Sequence, residues 1–348
     1  MNRCPKRWGT MMGEHDAERK VVVVSGASAG VGRASVREFA HHGYAVALLA
    51  RGEEGLAQTE REARAAGVPV LSLQVDVADA DAVRAAAEQV ESTLGPVDVW
   101  VNSAFASIIA PFSKVDPEEY HRVTDVCYHG YVHGTRAALE LMRPRDHGVI
   151  VQVGSALGYR GIPFQAAYCG AKHAVRGFTD SLRAELVDAG SRVRLTEVHL
   201  PAINTPQFSW VRSRMGGRTR PVPPVYQPEV AARAIVWAAE HPRRRRYWVG
   251  ASTVGTVLGQ RLAPRVLDLR LGHTARRAQV RDLPAPERDN LFEPVDDARD
   301  FGAHGEFDDE SSTVSVLDEL NRRRRLVTLL GAATLAAGAA GYAALRKR

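Results

Sequence analysis

Short apolar runs alternate with longer amphipathic stretches between residues 20 and 250. The apolar runs predict strands at 21–25, 45–50, 70–75, 98–102, 149–153, 192–198 and 246–250. The stretches between them repeat with a helical period at 31–42, 53–66, 79–94, 117–143, 166–188 and 228–240. Continuous apolar strands separated by helices are typical of a parallel sheet covered on both faces. The pattern therefore predicts an α/β domain over 20–250, doubly wound (Rossmann), with about seven strands and helices on both faces.

The pattern changes in three other parts of the chain. Residues 1–19 carry charges but no apolar run, so we expect a flexible leader rather than a secretory signal. Residues 200–227 follow no clean period inside the domain, which favours a functional loop over the substrate. Residues 251–325 are expected to form a C-terminal extension. In it an interrupted helix over 253–271 precedes a polar arm or linker over 272–321.

Residues 326–345 contain no charged side chain and are flanked by "RRRR" and "RKR". Twenty helical residues span about 30 Å, the thickness of the hydrocarbon core of a bilayer. The segment predicts a C-terminal transmembrane helix that holds the domain on the cytoplasmic side of a membrane. An alanine-rich helix that packs against a protein partner is the alternative.

Charge and cysteine content exclude several classes of protein. The formal net charge is +6, but 7 of the 46 Lys and Arg residues lie in 322–348, and the rest of the chain is nearly neutral. A nearly neutral domain argues against a nucleic-acid partner. The three cysteines form no CxxC pair, so no metal site is expected, and a sparse, odd number fits a reducing compartment.

The segment "SGASAGVG" (25–32) directly follows the first predicted strand and opens a helix. Gly26, Gly30 and Gly32 let the backbone turn sharply and present helix N-terminal N–H groups to a pyrophosphate. In this strand–turn–helix context the spacing predicts a dinucleotide site.

The second predicted strand ends at Ala50-Arg51, where an acidic residue would bind the ribose 2′-hydroxyl of NAD. With an arginine there instead, the site favours the 2′-phosphate of NADP over NAD. A solvated arginine in a loop is the alternative.

Tyr168 and Lys172 are four residues apart on one helix face, and Ser155 follows a predicted strand. A phenol is a poor proton carrier at neutral pH, and a nearby ammonium lowers its pKa toward a useful range. A serine hydroxyl can hold the substrate oxygen. The three residues predict Tyr168 as general acid/base, with Ser155 and Lys172 as its catalytic partners.

The chain resembles a short-chain dehydrogenase/reductase over residues 19 to 250. The resemblance rests on "SGASAGVG", "VDV" at 75–77, "VNSAF" at 101–105, Ser155 and "YCGAK" at 168–172. It implies that Asn102 steadies the central strands and that Asp76 lies near the adenine. It also implies that Thr205 lies near the nicotinamide and that the protein forms a homodimer or homotetramer. The dinucleotide-binding residues expected in all are Gly26, Ser28, Gly30, Val31, Gly32, Arg51, Asp76, Val77, Asn102, Tyr168, Lys172 and Thr205.

Several positions depart from the family pattern. Phe105 replaces a glycine beside the cofactor, and Ala202 replaces the glycine of the Pro-Gly pair after the sixth strand. Cys127 replaces an asparagine expected to hold a water for proton relay. A thiol is a weak donor and acceptor and does not reproduce the two-sided hydrogen bonding of an amide. We therefore expect Cys127→Asn to leave activity unchanged or raise it, and Cys127→Ala to cost little.

The sequence thus predicts an NADP-dependent oxidoreductase that interconverts a carbonyl and a secondary alcohol. The expected substrate pocket contains Phe105, Ser155, Phe164 and Phe208, with Trp210 nearby, which suggests an apolar substrate. The alternative is a membrane-bound scaffold of the same fold that binds a dinucleotide and has lost turnover.

Overall fold

A computed structural model describes residues 19–297 and 299–322. Its central sheet has seven parallel strands in the order β7-β6-β5-β4-β1-β2-β3. These strands are β1 Val21–Ser25, β2 Ala45–Ala50, β3 Val70–Gln74, β4 Val97–Asn102, β5 Val149–Ser155, β6 Arg194–Leu200 and β7 Arg246–Trp248. The predicted doubly wound fold is confirmed. Ligands of such sheets bind outside the carboxyl ends of the strands where the strand order reverses, here between β1 and β4.

The α-helices connect the strands and continue beyond the sheet. They are α1 Gly30–His41, α2 Glu53–Ala65, α3 Ala80–Leu94, α4 Pro117–Thr124, α5 Gly130–Met142, α6 Ala166–Asp188, α7 Gln207–Trp210, α8 Pro228–Glu240, α9 Ala251–Leu262, α10 Pro264–Gln279 and α11 Val316–Arg322. Among the described helices, none is long and apolar enough to cross a membrane. The predicted transmembrane segment 326–345 and almost all of the leader 1–19 lie outside the described residues.

Strand β1 shows why the sheet is buried on both faces. Val21 and Val23 belong to the apolar core on one face, and Val22 and Val24 belong to the core on the other. Successive side chains of a strand point to opposite faces, so an uninterrupted run of valines fills both cores at once. The carboxyl end of β1, where the glycine-rich segment begins, is thereby fixed in the centre of the domain.

The predicted helix over 117–143 is divided by a π-helical turn. Helix α4 begins with a capping box between Asp116 and Glu119, and the turn Asp125–His129 then inserts before α5. Such turns are frequent at functional sites. Cys127 lies in this turn and is fully buried.

Segments expected to be irregular are tied down by short strands. Within 200–227, Arg212–Ser213 pairs with Ile108–Ile109, and Val225–Tyr226 pairs with both Ala202–Ile203 and Ser311–Ser312. Residues Arg218–Thr219 pair with Val280–Arg281.

The segment 272–321, expected to be an extended arm or linker, instead packs on the domain. The structure buries Leu291 and Phe307 almost completely, at 0% and 2% exposed. The sequence pattern missed this packing because the few apolar residues of this polar stretch follow no helical or strand period.

Candidate active site

The glycine-rich segment forms a tight backbone cradle at the carboxyl end of β1. A Cβ atom on Gly32 would lie 2.0 Å from the carbonyl oxygen of Gly26. Gly26 and Gly30 have positive φ angles of 71° and 56°, which side chains rarely adopt. Only glycine fits this turn, and it exposes the N-terminus of α1 to the cleft. The cradle fits the pyrophosphate of a dinucleotide.

One cavity of about 470 Å³ unites most of the predicted site. Every predicted dinucleotide residue except Asn102 lines it. Asn102 is buried beneath it, where its amide donates to Gln152 Oε1 at 3.0 Å and Thr135 Oγ1 at 3.2 Å. These bonds connect β4 to β5 and α5, the arrangement that the resemblance implies for this residue.

Ser155 and Tyr168 meet at the inner end of the cavity. Ser155 ends β5, and its hydroxyl hydrogen-bonds the phenol of Tyr168 on α6. Burial, with the Cys127 thiol nearby, raises the pKa of Tyr168 well above its ordinary range, and the bond with Ser155 acts the other way. The raised pKa favours the protonated phenol of Tyr168.

Lys172 lies one turn beyond Tyr168 and is 4% exposed. Its ammonium nitrogen lies 5.7 Å from the centre of the Tyr168 ring and donates to the carbonyl oxygen of Val153 at 2.9 Å. Burial lowers the pKa of Lys172 to about 8. We expected this lysine to lower the pKa of Tyr168, but burial is the largest influence on that pKa and raises it.

Tyr131 completes this group, and the sequence reasoning missed it. Lys172 Nζ donates to Tyr131 Oη at 2.7 Å, and that hydroxyl donates to Val153 O at 3.0 Å. Tyr131 stands four residues after Cys127, on the same side of the helix. The sequence signal that could have identified Tyr131 is its spacing of four residues from Cys127, where the chain departs from the family pattern.

Cys127 makes the two-sided contact that we expected a thiol to lack. Its sulfur accepts from the backbone N–H of Ala106 at 3.3 Å and donates to the carbonyl of Ala106 at 3.1 Å. Burial raises the pKa of Cys127, which favours the protonated thiol. These two bonds connect the π-helical turn to the segment after β4, so the expectation that a thiol lacks two-sided hydrogen bonding is wrong here.

The expected substrate residues separate into two groups. Phe105, Ser155 and Phe208 line the cavity, together with Trp210. The ring of Phe105 packs edge-on against Tyr168 with centroids 5.1 Å apart. Phe164 lies elsewhere, in an apolar cluster with Ile109, Val211 and Met215. The backbone of Phe164 has a φ angle of 72°, a conformation that spacing along the chain does not reveal.

Arg51 and Asp76 lie at the adenosine end of the cavity, at the carboxyl ends of β2 and β3. Arg122 Nη2 donates to Asp76 Oδ2 at 2.6 Å. Arg51 donates to the backbone carbonyl oxygens of Asn290 and Phe292 at 2.6 and 2.5 Å. Arg51 is therefore placed as predicted, but its present partners come from the C-terminal part of the chain.

The fold and this cavity define a dinucleotide-binding oxidoreductase of the Rossmann type. The sequence model of the short chain dehydrogenase family matches residues 20–215. The chain belongs to this family.

Its relatives include "Uncharacterized oxidoreductase YxnA" of Bacillus subtilis (strain 168), 33% identical over 274 residues, 78% of this chain and 76% of the relative. The chain is also similar to 3-dehydrosphinganine reductase of Danio rerio, 32% identical over 62% of this chain and 67% of that protein. Among solved structures, an alcohol dehydrogenase from the archaeon Thermococcus sibiricus, complexed with 5-hydroxy-NADP, superposes with a TM-score of 0.58. The two are 27% identical, and the match covers 67% of this chain and 95% of that one.

Proposed function

We propose that this oxidoreductase interconverts a carbonyl and a secondary alcohol with NADP as coenzyme. The observation that carries the proposal is the single cavity shared by the glycine cradle and the group of Ser155, Tyr168 and Lys172. A cleft for the dinucleotide and a buried proton donor at its inner end are the two requirements of this chemistry.

Each side chain has a distinct task in the proposed reduction. The hydroxyl of Ser155 holds the substrate carbonyl oxygen, and the neutral phenol of Tyr168 donates its proton to that oxygen. Lys172, as a cation, stabilises the tyrosinate that remains. The bound dinucleotide supplies the hydride that reaches the carbonyl carbon. In the oxidation, Tyr168 takes the proton back from the alcohol.

Support for NADP comes from Arg51, which directly follows β2. The end of β2 carries no acidic side chain that would bind a ribose 2′-hydroxyl. Two solved neighbours, the archaeal alcohol dehydrogenase and a metagenomic short-chain oxidoreductase, are complexes with 5-hydroxy-NADP and NADP, respectively. An arginine fork suits a 2′-phosphate better than a hydroxyl.

An apolar substrate is supported by the outer walls of the cavity. Phe105, Phe208, and Leu267 and Leu271 of α10 all line it. Leu262 at the end of α9 is 82% exposed, and Val266 and Leu269 of α10 are 62% and 67% exposed. Exposed apolar residues in a group are typical of contact with a membrane or another apolar surface.

This exposed group fits the further proposal that the protein works at a membrane, to which residues 326–345 attach it. Arg261 and Arg265 are exposed beside these apolar side chains. Basic and apolar side chains together suit the surface of an anionic bilayer.

The test compares wild type with Tyr168→Phe in assays of NADPH oxidation with a panel of aldehydes and ketones. We expect a loss of kcat of at least a hundredfold with NADPH binding retained, because only the proton donor is removed. Equal rates in the two proteins would contradict the proposed chemistry. Absence of turnover in wild type, with NADPH still bound, would favour the scaffold alternative.

A further inference from the structure

A segment that comes well after the last strand of the sheet in the sequence lies along the outer edge of the dinucleotide cleft. We call residues 289–297 and 299–307 the C-terminal strap. At the adenosine end, its carbonyl groups bind Arg51. At the pyrophosphate cradle, Gly30 N–H donates to the carbonyl of Gly302 at 3.2 Å. At the far end, Phe307 N–H donates to Asn204 Oδ1 at 3.1 Å, beside Thr205. The strap thus runs parallel to the expected path of the dinucleotide.

Asp296 is the strap residue that enters the site. Its side chain lines the cavity and is 9% exposed. Its Oδ2 atom accepts from the backbone N–H of Gly55 at 2.9 Å, in the first turn of α2. A Cβ atom on Gly52 would lie 2.1 Å from the same oxygen. The absence of side chains at Gly52 and Gly55 therefore lets a carboxylate sit directly on the backbone at the end of β2.

The chemistry of this position is that of an anion site. The N–H group of Gly55 in the first turn of α2 points toward it, and the positive end of the helix dipole favours a negative charge. Burial lowers the pKa of Arg51, while Asp76, Glu293 and Asp296 lie near enough to raise it. The guanidinium and the helix N-terminus together are the groups expected to receive a ribose 2′-phosphate.

The neighbouring strap residues hold Asp296 there. Leu291 is fully buried in the apolar core that includes Val75 and Val77. Its carbonyl oxygen accepts from Arg122 Nε at 3.0 Å. The strap is therefore anchored on the Asp76 side of the cleft, and Asp296 is placed by this anchor rather than by its own charge alone.

We propose that Asp296 occupies the position of the coenzyme 2′-phosphate and so determines which form of the coenzyme binds. This inference rests on the proposed function. A phosphate cannot share the site with a buried carboxylate, because two like charges repel strongly at short distance. The coenzyme with a free 2′-hydroxyl can donate to the same carboxylate. NADP therefore binds only when the strap releases this position, whereas NAD binds with the strap in place.

The test measures dissociation constants of NADPH and NADH by nucleotide fluorescence for wild type, Asp296→Asn and Asp297→Asn. Asparagine at 296 keeps an oxygen for Gly55 N–H and removes the charge. We expect Asp296→Asn to tighten NADPH binding about tenfold and to leave NADH binding unchanged or weaker.

Asp297→Asn is the matched control. Asp297 is the adjacent strap carboxylate, exposed and paired with Arg288 at 2.9 Å. If it changes the NADPH-to-NADH ratio as much as Asp296→Asn does, or if neither variant changes that ratio, the inference is wrong. Failure of both nucleotides to bind any of the three proteins would instead overturn the proposed function.

Hydrogen–deuterium exchange of the wild-type protein gives a second readout that does not depend on turnover. Saturating NADPH is expected to raise the exchange rate of strap amides around residues 290–297. Saturating NADH is expected to lower that rate or leave it unchanged. Protection of these amides by NADPH would contradict displacement of the strap.

Discussion

The ammonium of Lys172 on α6 donates to the phenolic oxygen of Tyr131 on α5 at 2.7 Å. This bond, with that to Val153 O, fixes the position of the lysine before any ligand arrives. Because the Tyr131 hydroxyl in turn donates to the same carbonyl, the three groups form a closed buried network. Lys172 is therefore held in part by α5, the helix that directly follows the π-helical turn containing Cys127.

We predict that Tyr131→Phe shifts the pH dependence of the reaction. The phenylalanine removes an acceptor from the Lys172 ammonium, so its pKa, now about 8, falls further. The cationic form is the active one, and activity is lost as pH rises through this pKa. The alkaline limb of kcat/KM should move down by about one pH unit. Tyr128→Phe, which changes a ring packed against Phe178, is the control. An unmoved alkaline limb in Tyr131→Phe contradicts the assignment.

Cys127→Ala should affect stability more than catalysis. It leaves the buried N–H and C=O of Ala106 without their sulfur partner, which costs about 1–3 kcal/mol in the free energy of unfolding. Cys127→Ser, which retains a donor and an acceptor, should lose less. Denaturant unfolding of the three proteins measures the difference, and kcat of the folded protein is expected to stay within about twofold. A large loss of kcat with unchanged stability would show that the thiol takes part in the chemistry.

Glu119 connects α4 to the loop 200–227, and its titration should appear in acid unfolding. Hydrogen bonds from Arg214, and also from Arg212, hold the pKa of Glu119 down at about 2 against the effect of burial. Since this pKa lies below that of the unfolded chain, near 4.5, the carboxylate stabilises the fold above about pH 5. That stabilisation disappears progressively as pH falls toward 2.

We therefore expect Glu119→Gln to be less stable than wild type at pH 7 and to lose less stability between pH 6 and pH 3. Urea unfolding at a series of pH values is the measurement. Glu118→Gln, at an exposed neighbouring position, should follow the wild-type curve. Parallel curves for wild type and Glu119→Gln would exclude this contribution.

The membrane prediction is tested by expressing the chain with and without residues 322–348. If 326–345 forms the proposed transmembrane helix, we expect the full-length protein in the membrane fraction, released by detergent. The shortened protein should be recovered without detergent. Full-length protein in the detergent-free supernatant would contradict the anchor.

The apolar pattern is sufficient to predict the sheet, and residue spacing is sufficient to predict site residues that lie within one local segment. Strands 21–25 and 45–50 have the predicted bounds, because their apolar runs end abruptly at polar or glycine positions. The π-helical turn at 125–129 was not predicted, since one extra residue in a turn hardly alters the apolar period over 117–143.

Contacts between distant segments could not be predicted in this way. Arg51 was placed correctly at the end of β2, but its partners lie about 240 residues later and bind it through backbone carbonyls, which any residue carries. Asp296 is one acidic residue among many in a polar stretch. Only the folded chain shows that it faces Gly52 and Gly55.

The order of residues along the chain gives the strap a consequence during synthesis. All seven strands of the sheet precede it, so the ribosome makes the complete sheet and glycine cradle before Asp296. Because domains fold as units while the chain is made, the cleft of the nascent protein is open for an interval and closes along its edge last. A coenzyme present in that interval meets Arg51 before the strap does.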